Sequence, residues 1–237
     1  MTNILLLPNL FSQDEALVEG EAHHHLFRVK RQQVGDRLRV VDGEGRARWA
    51  EVVAIDKRAA RLALGEPAPA NEPDIAVEVF VAAPKPERAA WLVEKATELG
   101  VVGIHFVSTE REARSVAPSQ LERLRRIAVS AVEQSGRSVV PTIADEGGLR
   151  GVVVRTREMG VPIVVLDALG GEIRPEVGRE ERIALFVGPE GGWGDAERAF
   201  FAEERLRGWS LGPTVLRVET AVVVAAGLLL CGGGVSR

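Results

Sequence analysis

Cysteine is almost absent from this sequence of 237 residues, and the single one is Cys231. One cysteine cannot form an intrachain disulfide, and Cys231 lies in an apolar stretch rather than beside a histidine or a second cysteine. The cysteine content therefore fits a reducing cytosol. Because 46% of the residues are hydrophobic, the chain can bury a substantial core without disulfide support.

Long hydrophobic runs are also missing. The longest stretch without a charge, residues 220–236, is shorter than the roughly 20 apolar residues that a membrane span needs, and its end is rich in glycine. We expect its first half to form a buried helix. Residues 1–11 have a short apolar run but neither a basic region nor a small-residue cleavage site, so no export signal is expected. These features predict a cytoplasmic protein.

An excess of positive charge is missing as well, since the formal net charge is −4 at pH 7. Nucleic-acid binding depends on Lys and Arg side chains that replace phosphate counterions, so any RNA contact must be local. Between Glu21 and Arg61, ten basic residues stand against six acidic ones. The ten are Arg28, Lys30, Arg31, Arg37, Arg39, Arg46, Arg48, Lys57, Arg58 and Arg61. They form either an RNA-binding face or an ordinary solvated surface, and the pattern alone leaves both open.

The first seventy residues have the pattern of a small β domain. Short runs at Arg37–Val41, Ala47–Ile55 and residues 60–64 are separated by turn residues. This pattern predicts a compact β-barrel over residues 1–70. Residues 65–74 contain three prolines among alanine and acidic residues, which is typical of a linker between domains.

A different pattern begins at about residue 74. Short apolar runs alternate there with helical patterns, and the runs are β-branched, as in strands that are buried in a parallel sheet. Strands are predicted at residues 75–81, 101–107, 162–166 and 183–187. The alternation predicts an α/β domain over residues 74–237, with helices that cover a mostly parallel sheet.

Two of the predicted helices have clear boundary signals. Residues 87–99 have a helical pattern that Gly100 closes. Ser119, followed three residues later by Glu122, forms a capping-box pattern, and apolar residues recur on one helical face after it. A helix is therefore expected to begin at Ser119.

A glycine-rich loop follows the predicted strand at residues 183–187. Ligands of open α/β sheets bind beyond the carboxyl ends of the strands, so this position favours a binding site. Three glycines within residues 188–193 let backbone amides approach a ligand closely, although such residues also occur in simple tight turns. Residues 194–197 then predict a helix start with acidic residues in its first turn. Neither the dinucleotide spacing nor the lysine-bearing phosphate loop is matched.

A second segment, residues 211–221, carries Arg217 and Glu219 directly before an apolar helix. Charged groups at the mouth of a buried helix are either caps or site residues. Together with residues 186–192, this segment closely resembles the RsmE family of SPOUT-class RNA methyltransferases. One departure is Thr214, where the family pattern has a basic residue, so a phosphate or carboxylate contact from that position is in question.

The resemblance extends over essentially the whole chain. Its upstream parts are residues 94–100 and 133–137, the pair His24 and His25, and the residues Val29, Arg31, Gly35, Asp36, Asp42 and Gly43. It implies a C-terminal SPOUT trefoil-knot domain, which is an α/β unit with a mostly parallel sheet and flanking helices. It also implies an N-terminal PUA-like β-barrel domain that binds RNA.

The resemblance also implies a cofactor and a reaction. The knot loops of the family bind S-adenosyl-L-methionine, and two subunits form a homodimer around the sites. The reaction is methylation of N3 of a uridine in 16S rRNA, either free or within the assembled small ribosomal subunit. The residues expected to hold the cofactor are Leu166, Val187, Gly188, Pro189, Glu190, Gly191, Leu211, Gly212, Leu216, Thr220 and Ala221.

The implied reaction requires a group that accepts a proton, because N3 of uridine carries a proton and no free lone pair. Glu190 and Glu219 are the carboxylates best placed in sequence for this role, and Arg217 is a candidate for stabilising negative charge on a uracil oxygen. Each also has a structural alternative. Glu190 would stabilise a turn, Glu219 would interact with the helix dipole, and Arg217 would form an ion pair that holds the knot.

A uridine inside folded RNA must be splayed out to reach a methyl donor, and the N-terminal barrel is the expected clamp. The residues expected to contact RNA are Arg28, Lys30, Arg31, Lys85, Arg88 and Arg137, although a surface arginine is more often only solvated. His24 and His25 are expected on a strand, with side chains on opposite faces and no partner at ligand spacing, so no metal site is predicted. Trp193 is expected to pack in the core or the loop.

Other functions stay open at this point. A non-catalytic RNA-binding protein would share the barrel and its basic residues, but it would not need the glycine-rich loop together with Arg217 and Glu219. An ordinary doubly wound nucleotide-binding enzyme predicts affinity for ATP or NAD rather than for the methyl donor. A SPOUT methyltransferase could also act on another RNA, such as transfer RNA.

Overall fold

The computed structural model describes residues 4–6, 13–172 and 181–231. Its backbone divides into two compact units. The first unit contains Met1–Glu72 and Val129–Val140, and the second contains Pro73–Ala128 and Pro141–Arg237. The return of the chain to the first unit at Val129–Val140 is not part of the sequence prediction.

The first unit contains a five-stranded sheet. Its strands are β1 (Ile4–Leu6), β2 (Glu15–Glu19), β3 (Arg37–Val41), β4 (Ala47–Ile55) and β5 (Ala59–Pro67). Their order is β1-β3-β4-β5-β2, and all pairs are antiparallel except β1 with β3. Leu38, Val40, Val52 and Leu62 are buried in one core, as alternating positions of half-buried strands should be. The predicted strands β3 and β4 are confirmed.

The expected start of the linker at residue 65 is wrong. β5 pairs with β4 as far as Pro67, which lies opposite Arg48. Proline is tolerated at the end of a strand because its missing N–H costs no interior hydrogen bond there. The proline-rich segment therefore begins only after β5 ends.

A helical segment follows β2, so the expectation that His24 and His25 lie on a strand is wrong. Helix α1 (Gly20–His23) continues into a π-helical turn at His24–Val29. His24 and His25 are exposed, whereas His23 is buried with its Nε2 atom 3.1 Å from a backbone carbonyl oxygen. Within the described ranges, no group of three or more potential metal ligands occurs.

The basic residues of the first unit are partly engaged by its own groups. Arg39 is buried, and its guanidinium donates to the carbonyl oxygens of Pro69 and Ala70 and to Oγ of Ser138 at 2.5–2.9 Å. Burial lowers the pKa of Arg39, and the carboxylate of Glu72 offsets part of that effect. Ion pairs or backbone carbonyls also engage Arg37, Arg46 and Arg48. The surface that these basic residues offer to RNA is therefore smaller than their number suggests.

The second unit contains a six-stranded parallel sheet. Its strands are β6 (Ala76–Ala82), β7 (Gly103–Ser108), β8 (Thr142–Gly148), β9 (Ile163–Glu172), β10 (Arg182–Val187) and β11 (Arg207–Ser210). Their order is β11-β9-β10-β6-β7-β8. Strand β10 is buried at every position after Arg182, as expected for a strand that is covered on both faces. Its last residue, Val187, lies opposite Leu166 of β9, so the loop after β10 begins beside the middle of β9.

The described residues form five further helices. They are α2 (Pro86–Leu99), α3 (Pro118–Ser135), α4 (Leu149–Glu158), α5 (Asp195–Glu203) and α6 (Val218–Cys231). The predicted end of α2 is confirmed, because Gly100 has a left-handed φ of 112°. The predicted capping box at Ser119 is wrong, because α3 begins earlier, at Pro118. The fixed φ of proline suits the first helical position.

The apolar stretch near the carboxyl end forms α6, and its buried residues confirm the predicted buried helix. Helix α6 packs against α2. Of the helices that the structure describes, none combines the length and apolar character needed to cross a membrane.

Candidate active site

A cavity of about 280 Å³ in the second unit lies beyond the carboxyl end of β10 and beside the middle of β9. Three chain segments form its walls: residues 166–168, residues 187–193, and residues between 209 and 221. Arg198 of α5 completes the lining. All of the residues expected to hold the cofactor line this cavity except Thr220. The two segments that the sequence singled out are therefore neighbours in space.

Residues 188–193, the glycine-rich loop, form a tight turn directly after β10. The amide of Gly192 donates to the carbonyl oxygen of Pro189 at 2.8 Å, and Gly192 has a left-handed φ of 70°. Gly188 is required for a different reason. A Cβ atom at this position would lie 2.9 Å from Cε2 of Trp193, closer than carbon atoms approach one another. The loop therefore folds back so tightly that only glycine fits at its first position.

Trp193 fixes the loop from the inside, which confirms the prediction that it packs in the core or loop. Its side chain is only 1% exposed, and its Nε1–H donates to the carbonyl oxygen of Leu166 at 2.7 Å. Its ring also meets Phe201 edge to face, with centroids 5.0 Å apart. Because Leu166 and Trp193 both line the cavity, this hydrogen bond links two of its walls.

Glu197 anchors the other end of the glycine-rich loop. Its buried carboxylate accepts hydrogen bonds from the amide of Gly194 and from the amide of Glu110, each at 2.8 Å. The first bond caps α5 and confirms the predicted helix start. The second ties the loop after β7 to the site, and Arg111 of that loop donates to the carbonyl oxygen of Gly191. The backbone of the glycine-rich loop is thus held from both sides.

One ion pair belongs to the cavity wall. Nη1 of Arg198 lies 2.8 Å from Oδ2 of Asp167, and both residues line the cavity. Sequence reasoning missed this pair, although Asp167 could have been found because it directly follows the strand predicted at residues 162–166. The other lining residues that were not predicted as cofactor contacts are Ala168, Gly192, Trp193, Trp209, Ser210, Thr214, Val215 and Val218.

A charged cluster lies beside the cavity and joins α2, the glycine-rich loop and α6. The guanidinium of Arg88 forms an ion pair with Glu190, which lines the cavity. Nε of Arg88 also lies 3.6 Å from Oε1 of Glu219. Glu219 is only 7% exposed, and its Oε2 atom is buried without a hydrogen-bond partner in the part of the chain that the structure describes. Glu190 and Glu219, two of the predicted catalytic residues, therefore form ion pairs with the same arginine.

Arg217, the third predicted catalytic residue, has a different environment. It is exposed, and no carboxylate of the described residues lies within ion-pair distance of it, so the structure gives no ion pair that would hold the chain together at this point. Thr214 is exposed as well, and it lines the cavity. Lys85, which precedes α2, is also exposed.

Two of the residues expected to contact RNA are engaged elsewhere. Arg137 is only 3% exposed, and its guanidinium binds Glu72 at 2.7 Å within the first unit, so the expectation that it contacts RNA is not supported by its position. Arg88 pairs with the two carboxylates described above. By contrast, Arg28, Lys30 and Arg31 are exposed, in or directly after the π-helical turn of the first unit.

Comparison with known proteins identifies the family. The model of the RNA methyltransferase domain family matches residues 71–230, and that of the RNA methyltransferase PUA domain matches residues 18–64. A ribosomal RNA small subunit methyltransferase E from Mycobacterium bovis is 32% identical over 227 residues, which cover 90% of this chain and 84% of that protein. This chain belongs to the ribosomal RNA small subunit methyltransferase E family. The resemblance noted in the sequence is thus confirmed.

Other members of the methyltransferase E family support the same assignment. The Bacillus subtilis member is 28% identical over 225 residues, which cover 88% of this chain and 86% of that protein. The structure of the Neisseria gonorrhoeae member, determined with S-adenosyl methionine bound, has a TM-score of 0.85 at 25% identity and covers 97% of both chains. The expected α/β domain with an N-terminal PUA domain is therefore confirmed.

Proposed function

We propose that this methyltransferase E family member transfers a methyl group from S-adenosyl-L-methionine to N3 of a uridine in 16S rRNA. The observation that carries the proposal is the cavity beside β9 and beyond the end of β10, which both sequence segments of the family resemblance line. The relatives named above are ribosomal RNA methyltransferases, and the Neisseria gonorrhoeae structure contains the methyl donor. An enzyme of this type would act in the cytoplasm.

The residues of the cavity suit S-adenosyl-L-methionine. Leu166, Val187 and Leu216 offer apolar walls for an adenine ring, while the glycine-rich loop exposes backbone groups with little side-chain interference. Asp167 adds carboxylate oxygens that can accept hydrogen bonds from hydroxyl or ammonium groups. Bound there, the donor supplies an electrophilic methyl group on a sulfonium centre.

In the proposed reaction Glu219 is the proton acceptor. The bond between N3 and the methyl carbon forms as the bond between that carbon and sulfur breaks, and the N3 proton passes to the carboxylate of Glu219. The products are N3-methyluridine, the neutral thioether and protonated Glu219, which later loses its proton to solvent. Glu190 orients the neighbouring groups from the cavity wall, and the exposed Arg217 stabilises negative charge on a uracil oxygen.

The first unit is the proposed RNA-binding part, through Arg28, Lys30 and Arg31. We expect Arg31→Ala to weaken binding of 16S rRNA several-fold and to reduce the slope of log affinity against log salt by about 1, because one phosphate contact is lost. Donor affinity should not change. Filter binding at several salt concentrations measures the first effect and calorimetry the second. Arg123→Ala, at an exposed arginine of α3, is the control. A loss of donor affinity in Arg31→Ala would contradict this division of roles.

A homodimer is also part of the proposal. Val224 and Leu228 of α6 and Trp91 of α2 are exposed apolar side chains on two helices that pack together. Exposed apolar side chains on neighbouring helices favour association with another subunit. Sedimentation of the purified protein should therefore report about twice the chain mass of 25.6 kDa. A monomer at micromolar concentration would contradict the proposal.

The proposed substrate is tested most directly with labelled donor. The protein is incubated with unmodified small ribosomal subunits, with naked 16S rRNA and with transfer RNA, and the labelled nucleotide is mapped in each. We expect N3-methyluridine in 16S rRNA, and the first two samples show whether the assembled subunit or free RNA is the substrate. Label in transfer RNA alone would overturn the assignment.

A further inference from the structure

The charged cluster beside the cavity contains an arginine whose position is not explained by the proposed RNA contacts. Arg88 lies in the first turn of α2, yet its guanidinium reaches the glycine-rich loop at Glu190 and the first turn of α6 at Glu219. One side chain thus connects the cavity wall with the proposed proton acceptor.

The two ion pairs of Arg88 differ in what they can contribute. The side chain of Glu190 is 59% exposed, and ion pairs at such positions contribute little because water screens them. The side chain of Glu219 is only 10% exposed, so water screens its interaction with Arg88 much less. Among the described residues, Arg88 provides the only cation within 4.0 Å of Glu219. The pairing of Arg88 with Glu219 is therefore the stronger of the two.

The geometry of this pair leaves one carboxylate oxygen without a partner. Arg88 approaches Oε1 of Glu219, while Oε2 is buried and has no hydrogen-bond partner. A buried acceptor without a partner is costly, and in native proteins it calls for a specific explanation. An N–H donor from a bound substrate, such as N3–H of a uracil ring, would satisfy this atom.

We infer that Arg88 is a positioning residue that fixes the orientation of the Glu219 carboxylate through Oε1 and thereby directs the unpartnered Oε2 toward the N3 proton of the substrate uridine. This inference rests on the proposed function, in which Glu219 accepts that proton. Arg88 itself does not line the cavity, but its guanidinium forms an ion pair with Glu190, which does. Its role is thus distinct from the RNA contact that the sequence suggested.

Kinetics of Arg88 variants test the inference. We expect Arg88→Ala to lower the single-turnover rate of methyl transfer by about 100-fold, the lower part of the range for losing a positioned acid or base. The affinities for donor and RNA should change by less than about threefold, since neither ligand loses a direct contact. Arg88→Lys should recover part of the rate, because an ammonium group supplies the charge but not the planar fork of an arginine.

Two comparisons separate positioning from a structural role. Arg157→Ala removes another partly exposed arginine–glutamate pair, with Glu204, and should leave the rate unchanged. Adding Glu219→Gln to the Arg88→Ala variant should lower the rate by a much smaller factor than Glu219→Gln does in the wild-type protein. Both changes disable the same group, the Glu219 carboxylate. A normal rate in Arg88→Ala, or a weaker RNA affinity with a normal rate, overturns the inference.

A crystal structure of Arg88→Ala gives a test that does not depend on the substrate. Without the guanidinium, the carboxylate of Glu219 should turn away from its present position by more than about 0.5 Å, the tolerance of a working site. A carboxylate that keeps its position overturns the inference even if the wild-type protein proves inactive on 16S rRNA. If only the proposed function is wrong, the wild-type protein is inactive on 16S rRNA, but Glu219 is still displaced in Arg88→Ala.

Discussion

Replacing Glu219 with glutamine is expected to lower the single-turnover rate of methyl transfer to 16S rRNA by about 10²- to 10⁴-fold. Glutamine has the size of glutamate, but it cannot accept the N3 proton. Its amide nitrogen would also place a donor where the buried Oε2 atom now offers an acceptor. Because Glu219 does not line the cavity, donor affinity should stay within about threefold of the wild-type value.

The same experiment decides between catalysis and the structural alternative for Glu219. A carboxylate in the first turn of a helix interacts with the helix dipole, which is worth about 0.3–1 kcal/mol of stability. If that were its only role, Glu219→Gln would lower the unfolding midpoint and leave the rate nearly unchanged. Rapid-quench kinetics and thermal unfolding of one preparation distinguish the two. Glu203→Gln, at an exposed glutamate of α5, is the matched control.

The sequence predicted the cavity well because its walls are contiguous segments. One wall contains Gly188 to Gly191 and another contains residues between Leu211 and Leu216. Because the residues of each wall are close in sequence, the motifs and the order of strands locate them together. Asp167 and Arg198 were missed for the opposite reason. Their ion pair joins β9 to α5, and only the folded chain brings these two residues together.

Charge alone was a poor guide to exposure. Arginine is usually a surface residue, yet Arg137 is buried because Glu72 provides a carboxylate at 2.7 Å. Arg39 is buried because carbonyl oxygens of the proline-rich segment accept its hydrogen bonds. In both cases the partner is distant in sequence, and a buried charge is tolerated only when such a partner exists. Local sequence patterns cannot predict such a pairing between distant residues.

The order of the strands was not available from local patterns either. Periodicity predicted buried strands at β6, β7, β9 and β10, but it could not predict that β9 lies between β10 and β11. The short strand β11 lacks the β-branched residues that mark its neighbours. The expected trefoil knot came from the family resemblance alone, because knotted chains are exceptions to the rules of chain topology.

The second large effect is expected at Gly188, where valine should abolish donor binding. The Cβ atom of any side chain here would lie 2.9 Å from Cε2 and 3.0 Å from Cδ2 of Trp193. Trp193 cannot move freely, because its indole N–H is bound to Leu166 and its ring packs against Phe201. Displacing it would shift the glycine-rich loop and the wall at Leu166 together, so the donor would lose two of its contact surfaces at once.

Calorimetry with S-adenosyl-L-methionine is the measurement for Gly188→Val. We expect the affinity to fall by more than about 100-fold, equivalent to roughly 2.7 kcal/mol. Gly148→Val is the matched control, because a Cβ atom at Gly148 meets no other atom within 4 Å and its extended backbone accepts valine. Circular dichroism shows whether each variant is folded, and Gly188→Ala, with its smaller side chain, keeps the test valid if the valine variant is not. Donor affinity within about threefold of wild type in a folded Gly188→Val protein would mean that the glycine-rich loop is not part of the donor site.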